Sequence, residues 1–351
     1  MRTTAPELTR HESQALLAYR LTQITPPQPP NRSPGVRPLA VLIGGTPGTG
    51  KSTIQWLLQS SLGQETVAVY DYDDDAAAHP RYEAIMRAYG LRGQEAVVQS
   101  LPPNLFHDCL AHLRLSDPPY DLIASAPLEG EDVTRRWVDR FRPADYRVVL
   151  VYAVTNEANS ALGRANRYQL GRDDTGIGRW VLDSALGSRA DNAIPDIALA
   201  IEAASYVDDL YIVDRDGYVL YENHRGEDGL MAPPFLARDK ALAEHLRPAT
   251  PAEHDWFVVT ASPLLKRGNE LAGPVADLVR WAWDRHEQRP VPRLSGPEPS
   301  PELRLDQRLI NLQRIAGAGL APPSSLILPS GGPDSPRGTS GRSVADQSRD
   351  R

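Results

Sequence analysis

Short apolar runs punctuate the first two thirds of the chain, and longer stretches with helical spacing separate them. Leu39–Ile43 is apolar at every position, as suits a strand covered on both faces. Val67–Tyr70, Tyr120–Ala124 and Arg147–Val154 read as further strands, mostly apolar apart from Asp121 and Arg147, and Leu210–Val213 and Tyr218–Tyr221 bracket the turn Asp214-Arg215-Asp216-Gly217. Between the runs, helices are expected over Glu12–Ile24, Thr53–Leu62, Pro80–Tyr89, Pro103–Leu113, Asp132–Phe141, Asn156–Tyr168, Arg179–Leu186 and Ile194–Ala204. Strands alternating with helices predict an α/β fold, a mostly parallel sheet flanked by helices and closed by a small C-terminal hairpin.

The pattern changes after Arg225, where Phe235–His245 and Gly273–His286 read as helices of a C-terminal extension. Residues 1–38 are expected to be an N-terminal helix and a Pro-rich linker, and 39–225 the main domain. Residues 226–290 then form the helical extension and 291–351 a mostly disordered tail, with a helix expected at Pro301–Ile315. The chain has 351 residues and 41% hydrophobic content, enough for a sizeable core, and its 32 prolines gather near both ends. Its net charge of -7 argues against a general nucleic-acid binder. No run reaches the roughly eighteen apolar residues that a membrane span requires, and no signal core precedes His11. Cys109 is the single cysteine, so no intrachain disulfide forms, and the expected location is the cytoplasm.

The chemistry enters at Gly45-Thr46-Pro47-Gly48-Thr49-Gly50-Lys51-Ser52, directly after the first strand and before a helix. Gly45, Gly48 and Gly50 let the backbone curl and aim successive N–H groups at phosphate oxygens. Lys51 reaches the β- and γ-phosphates, the Ser52 hydroxyl can ligate Mg²⁺, and Thr53 completes the cradle at the helix start. Lysine is rare here: only Lys51, Lys240 and Lys266 occur, among 38 basic residues. A P-loop binding ATP with Mg²⁺ is the reading.

Transfer of a phosphoryl group to a hydroxyl needs a carboxylate beside the nucleotide. The second strand ends in Asp71, Asp73, Asp74 and Asp75. If that strand continues, Asp71 and Asp73 point the same way into the cleft, while Asp74 and Asp75 read as a solvated acidic loop. By spacing alone, Asp73 fits a catalytic carboxylate and a solvated loop equally.

Taken together, Gly44–Lys51, Tyr70-Asp71-Tyr72-Asp73 with His79-Pro80, Leu162-Gly163 with Arg167-Tyr168, and Tyr206–Tyr221 resemble the zeta-toxin family of toxin–antitoxin kinases. The resemblance runs from about Leu39 to Tyr221 in order. It implies ATP as phosphate donor, Asp73 as catalytic base, and Arg167 and Arg179 as the cations that neutralise the transferring phosphoryl group. His79 is expected to be structural. The family phosphorylates the 3′-hydroxyl of UDP-N-acetylglucosamine and is blocked by a small helical antitoxin, so both become expected partners. This chain departs from the family pattern at Ile123-Ala124-Ser125-Ala126-Pro127, where an acid and a threonine are expected. It also carries Leu110, with Asp108 nearby, where a sugar-contacting glutamate is expected, and Glu129 and Glu131 where an arginine is expected. The alternatives are a kinase of another nucleotide, such as NAD, and a catalytically inactive nucleotide-binding interaction protein.

Overall fold

A computed structural model describes residues 5–126, 128–180 and 189–289, together with 308, 312, 314 and 315. They belong to one compact unit within residues 1–319. The expected tail beyond Pro322 and most of the expected helices Arg179–Leu186 and Pro301–Ile315 lie outside the described residues; 308, 312, 314 and 315 are helical.

The sheet is built on β1 (Leu39–Gly44), every residue of which is buried. Its neighbours are β3 (Asp121–Ser125) and β4 (Arg147–Val154), both parallel to it. Beyond them lie β2 (Val67–Asp71), β5 (Asp209–Asp214) and β6 (Val219–His224), in the order β2-β3-β1-β4-β5-β6, with only β6 antiparallel. This is the expected mostly parallel sheet with a closing hairpin.

Alternation along β1 divides the core into two layers. Ala40 and Leu42 face α1 (Arg10–Ile24), α6 (Leu105–Leu115) and α7 (Glu131–Phe141) through Leu16, Leu110 and Phe141. Val41 and Ile43 face α2 (Lys51–Leu62) through Ile54 and Leu58, in a layer that also holds Leu312 and Ile315. The apolar run of β1 and that of β4 after Arg147 follow from this two-sided cover.

Between β2 and β3 run α3 (Tyr72–Ala77), α4 (Tyr82–Tyr89), α5 (Gly93–Ser100) and α6. After β4 comes α8 (Glu157–Thr175), longer than the expected Asn156–Tyr168, then α9 (Arg189–Ala203). Asn156 caps α8 by accepting from the N–H groups of Ala158 and Asn159, and Gly176 ends it in the left-handed conformation. The extension consists of α10 (Ala237–Leu246), α11 (Pro251–Arg267) and α12 (Gly273–Glu287). Here α11 and α12 pack on α8 through Phe257, Leu264, Leu278 and Ala161, so the region after residue 226 backs the centre of the fold.

Two expectations about the acidic run need correction. The strand does not continue past Asp71: Asp71 is the N-cap of α3 and accepts from the Asp73 N–H at 2.9 Å. Its side chain therefore turns to the backbone as a helix cap, and the strand pairing that would align Asp71 with Asp73 is absent. Asp75 is not solvated; it is 1% exposed and accepts from Arg20 Nε at 2.8 Å and from the Tyr70 hydroxyl. A buried carboxylate requires such partners, and α1 supplies the cation from 55 residues away.

Candidate active site

The loop Gly45–Gly50 joins β1 to α2, and its three glycines all have positive φ. All three positions also exclude a side chain for lack of space, a Cβ on Gly45 falling 2.7 Å from the Ala153 carbonyl oxygen. A Cβ on Gly48 would sit 2.8 Å from the Ser160 carbonyl oxygen, and one on Gly50 would sit 2.7 Å from that of Arg215. Thr46 and Thr49 are buried, and Thr49 Oγ1 donates to the Thr46 carbonyl at 2.9 Å. Pro47 accepts from Ser160 Oγ of α8 at 3.4 Å. The loop is thus wedged between α8 and the β5–β6 turn, with Ser52 and Thr53 exposed in the first turn of α2.

Lys51 Nζ donates to the carbonyl oxygens of Gly45 and Thr46, at 2.5 and 3.1 Å. Burial lowers its pKa to about 8, and among nearby charges Asp73 opposes this most strongly. Asp73 in turn forms an ion pair with Arg179, whose side chain is 25% exposed against 40% for Asp73. Arg179 lies in the irregular segment after Gly176 rather than on the expected helix. Arg167 projects from α8 towards the same cluster. It keeps an exposed surface, yet the surrounding protein and then the Arg179 cation hold its guanidinium below the usual arginine range. Arginine remains charged under such a shift.

Four sequence-predicted residues from separate elements therefore meet: Lys51 from α2, Asp73 from α3, Arg167 from α8, and Arg179. Asp71 stands at the edge of this group, its pKa raised by burial despite the Asp73 N–H bond. The loop glycines, Lys51 and the exposed Ser52 hydroxyl fit a triphosphate with a bound divalent ion, because Mg²⁺ keeps most of its ligands as water and phosphate oxygen. His79 is buried, accepts from the Arg81 N–H at 3.0 Å and contacts Ser100 Oγ, which ties the turn after α3 to α5.

Apart from Glu129, the other residues at the site were not singled out from the sequence. Arg164 lies one turn before Arg167 on α8, buried, with its Cγ against Gly48. The i, i+3 spacing of Arg164 and Arg167 was the available signal. Beyond Tyr72 opens a cleft of about 480 Å³, lined by Phe106, Trp137, Glu129, Arg136 and Arg140. The Phe106 and Trp137 rings pack tilted, with centres 4.5 Å apart and planes at 48°, and the Arg140 guanidinium lies 4.6 Å from the centre of the Phe106 ring. Glu129, which lines the cleft, is also among the carboxylates whose charge acts on Lys51. In the altered stretch, Ser125 and Ala126 are buried, Ala126 in the wall of the cleft, and Pro127 lies outside the described residues.

The zeta toxin family model matches residues 23–226, well over half the chain. The chain belongs to the zeta toxin family. Among characterised zeta toxins, that of Streptococcus agalactiae is 26% identical over 199 residues, covering 55% of this chain and 66% of its own length. The Toxin PezT of Streptococcus pneumoniae is 26% identical over 133 residues, covering 38% of this chain and 51% of that protein. This chain thus spans less than two thirds of the length of these relatives. A solved structure from the S. pneumoniae PezAT chromosomal toxin–antitoxin system covers 75% of this chain and 98% of its own, with a TM-score of 0.59 at 20% identity. That similarity establishes a common fold. Among the described residues, no helix is long and apolar enough to cross a membrane.

Proposed function

We propose that this zeta-family chain is an ATP-dependent small-molecule kinase. It transfers the γ-phosphate to a hydroxyl of a nucleotide-sugar of the UDP-N-acetylglucosamine kind, with residues 39–225 carrying the transfer chemistry. The observation that carries this reading is the Asp73 carboxylate, paired with Arg179, acting on Lys51 and adjoining the cleft beyond Tyr72.

Each residue has a role in that scheme. The loop N–H groups and Lys51 hold the β- and γ-phosphates. The Ser52 hydroxyl would help hold a Mg²⁺ ion, which would supply neutralisation of the phosphate charge. Asp73 accepts the proton of the acceptor hydroxyl as that oxygen bonds to the γ-phosphorus. The bond from the γ-phosphorus to the bridging oxygen breaks, and ADP departs with the electron pair. Arg167 and Arg179 neutralise the equatorial oxygens of the moving phosphoryl group.

The aromatic Phe106 and Trp137 side chains and the Arg136 and Arg140 cations support an acceptor with a flat ring and phosphate groups. The same features favour a second acceptor class, a dinucleotide such as NAD, because Ser125 and Ala126 bring no acid to the cleft for a sugar. An antitoxin protein covering the nucleotide site is the partner this reading implies. Incubating the protein with ATP and a metabolite extract, then following phosphate by mass spectrometry, tests it. A phosphorylated nucleotide-sugar supports the leading reading, a phosphorylated dinucleotide the second, and no phosphorylated metabolite overturns both.

A further inference from the structure

The sheet order sets the two halves of the site on opposite sides of the phosphate loop. Asp73 and the Phe106–Trp137 cleft belong to the side of β2 and β3. Across β1 and β4, the β5–β6 turn brings Arg215, whose carbonyl oxygen and Cα press against Gly50. The turn is held by Asp214 Oδ1, which accepts from the N–H groups of Asp216 and Tyr218 at 2.9 and 2.8 Å. From this fixed base the Arg215 guanidinium lies over the Trp256 indole, 5.3 Å from its ring centre.

Trp256 belongs to α11, beyond residue 226 where the family match ends. Its ring lies close to the phosphate loop, with Gly163 of α8 beside both. A Cβ at Gly163 would lie 4.0 Å from both the indole and the Gly48 carbonyl oxygen. Both Trp256 and Arg215 are half-buried, so a face of the pair remains open to solvent. An aromatic ring and a planar cation thus stand beside Gly48 and Gly50, on the side of the loop away from Asp73.

We propose that Trp256 and Arg215 form the subsite for the donor's nucleobase, a proposal that rests on reading the P-loop as the ATP site. A triphosphate lying in the loop has its γ end towards Asp73, where transfer occurs, so its nucleoside leaves on the opposite side. There the base meets an indole, the strongest stacking surface among side chains, and a guanidinium that stacks equally well on a flat ring. The extension after residue 226 then contributes a contact to substrate as well as packing for α8. Trp256 carries no reacting atom; its contribution is to ground-state binding and orientation of ATP.

Affinities of wild type, Trp256→Ala, Trp256→Phe and Arg215→Ala for Mg-ATP and for inorganic tripolyphosphate test this by titration calorimetry. Loss of a base–aromatic stack weakens binding by about tenfold or more. Trp256→Ala is expected to lose that much for ATP, Trp256→Phe to recover most of it, and Arg215→Ala to lose a smaller factor. Tripolyphosphate, which has no base, is expected to bind all four proteins alike, which also reports an intact loop. Unchanged ATP affinity in Trp256→Ala, or an equal loss for both ligands, would overturn the subsite. A wild-type protein that binds neither ligand would overturn the P-loop reading together with it.

Discussion

Arg20 Nε donates to Asp75 Oδ1 at 2.8 Å, with both side chains less than 5% exposed. The pair pins α1 to the end of β2, and Arg20 also contacts the Asp71 carbonyl oxygen. It therefore braces the turn that carries Asp73. Burial raises the pKa of Asp75, and the Tyr70 hydroxyl and Arg20 counter that rise.

Removing only the cation strands a buried carboxylate, which typically costs about 3–5 kcal/mol. Arg20→Ala is accordingly expected to lower unfolding free energy by that amount in urea titrations. Asp75→Asn, which keeps an acceptor for Tyr70, is expected to cost less when combined with Arg20→Met than Arg20→Ala costs alone. An Arg20→Ala loss under about 1 kcal/mol, the range of an exposed pair, would contradict the bracing role.

ATP binding is expected to weaken with rising pH in a defined window. Burial lowers the Lys51 pKa to about 8 in the free protein. A bound triphosphate favours the ammonium, so its pKa is higher in the complex and binding takes up a proton above pH 8. Affinity stays level below that point and falls by up to about tenfold per pH unit above it. Lys51→Arg, charged throughout, is expected to lose the slope. A flat wild-type affinity between pH 7 and 9.5, by calorimetry, would count against the ion contact.

Asp214 supplies a second pH dependence, this time in stability. Burial raises it to about 7, against the two backbone N–H bonds that favour its charged form. Its folded pKa lies above the unfolded value near 4, so its contribution is full below pH 4 and is lost as pH rises through 7. Asp214→Asn cannot ionise. Wild type is expected to lose about 1–2 kcal/mol relative to that variant between pH 5 and 8, allowing for partial solvent exposure. Parallel stability curves would show that the carboxyl titrates normally.

Much of the fold was legible because its signals are local. The apolar run at Leu39, the glycines after it and a scarce lysine stand together in the sequence, and they stand together in space. Asp75 misled because nothing near it in sequence reveals Arg20, and a charge reads as solvated until its partner is known. The Asp71 side chain was misread for the opposite reason: a cap bond two residues away turned a strand end into a helix start. No helix was expected at α11, although the Thr250–Glu253 capping box with Pro251 was an available signal for its start. The cleft was not legible at all, since Tyr72, Phe106 and Trp137 come from three helices separated by tens of residues.

The central claim is that Asp73 takes the acceptor proton while the P-loop holds ATP. Asp73→Asn keeps the shape of the side chain and removes the charge, and general-base loss typically costs about a hundred- to ten-thousand-fold in rate. The decisive measurement is single-turnover phosphate transfer from ATP to the acceptor found in the metabolite extract, with ATP affinity determined in parallel. The account predicts transfer reduced by about that factor in Asp73→Asn, with ATP affinity nearly unchanged and a smaller effect in Asp71→Asn. Near-normal transfer in Asp73→Asn would contradict it, and a collapse confined to Asp71→Asn would move the base to Asp71.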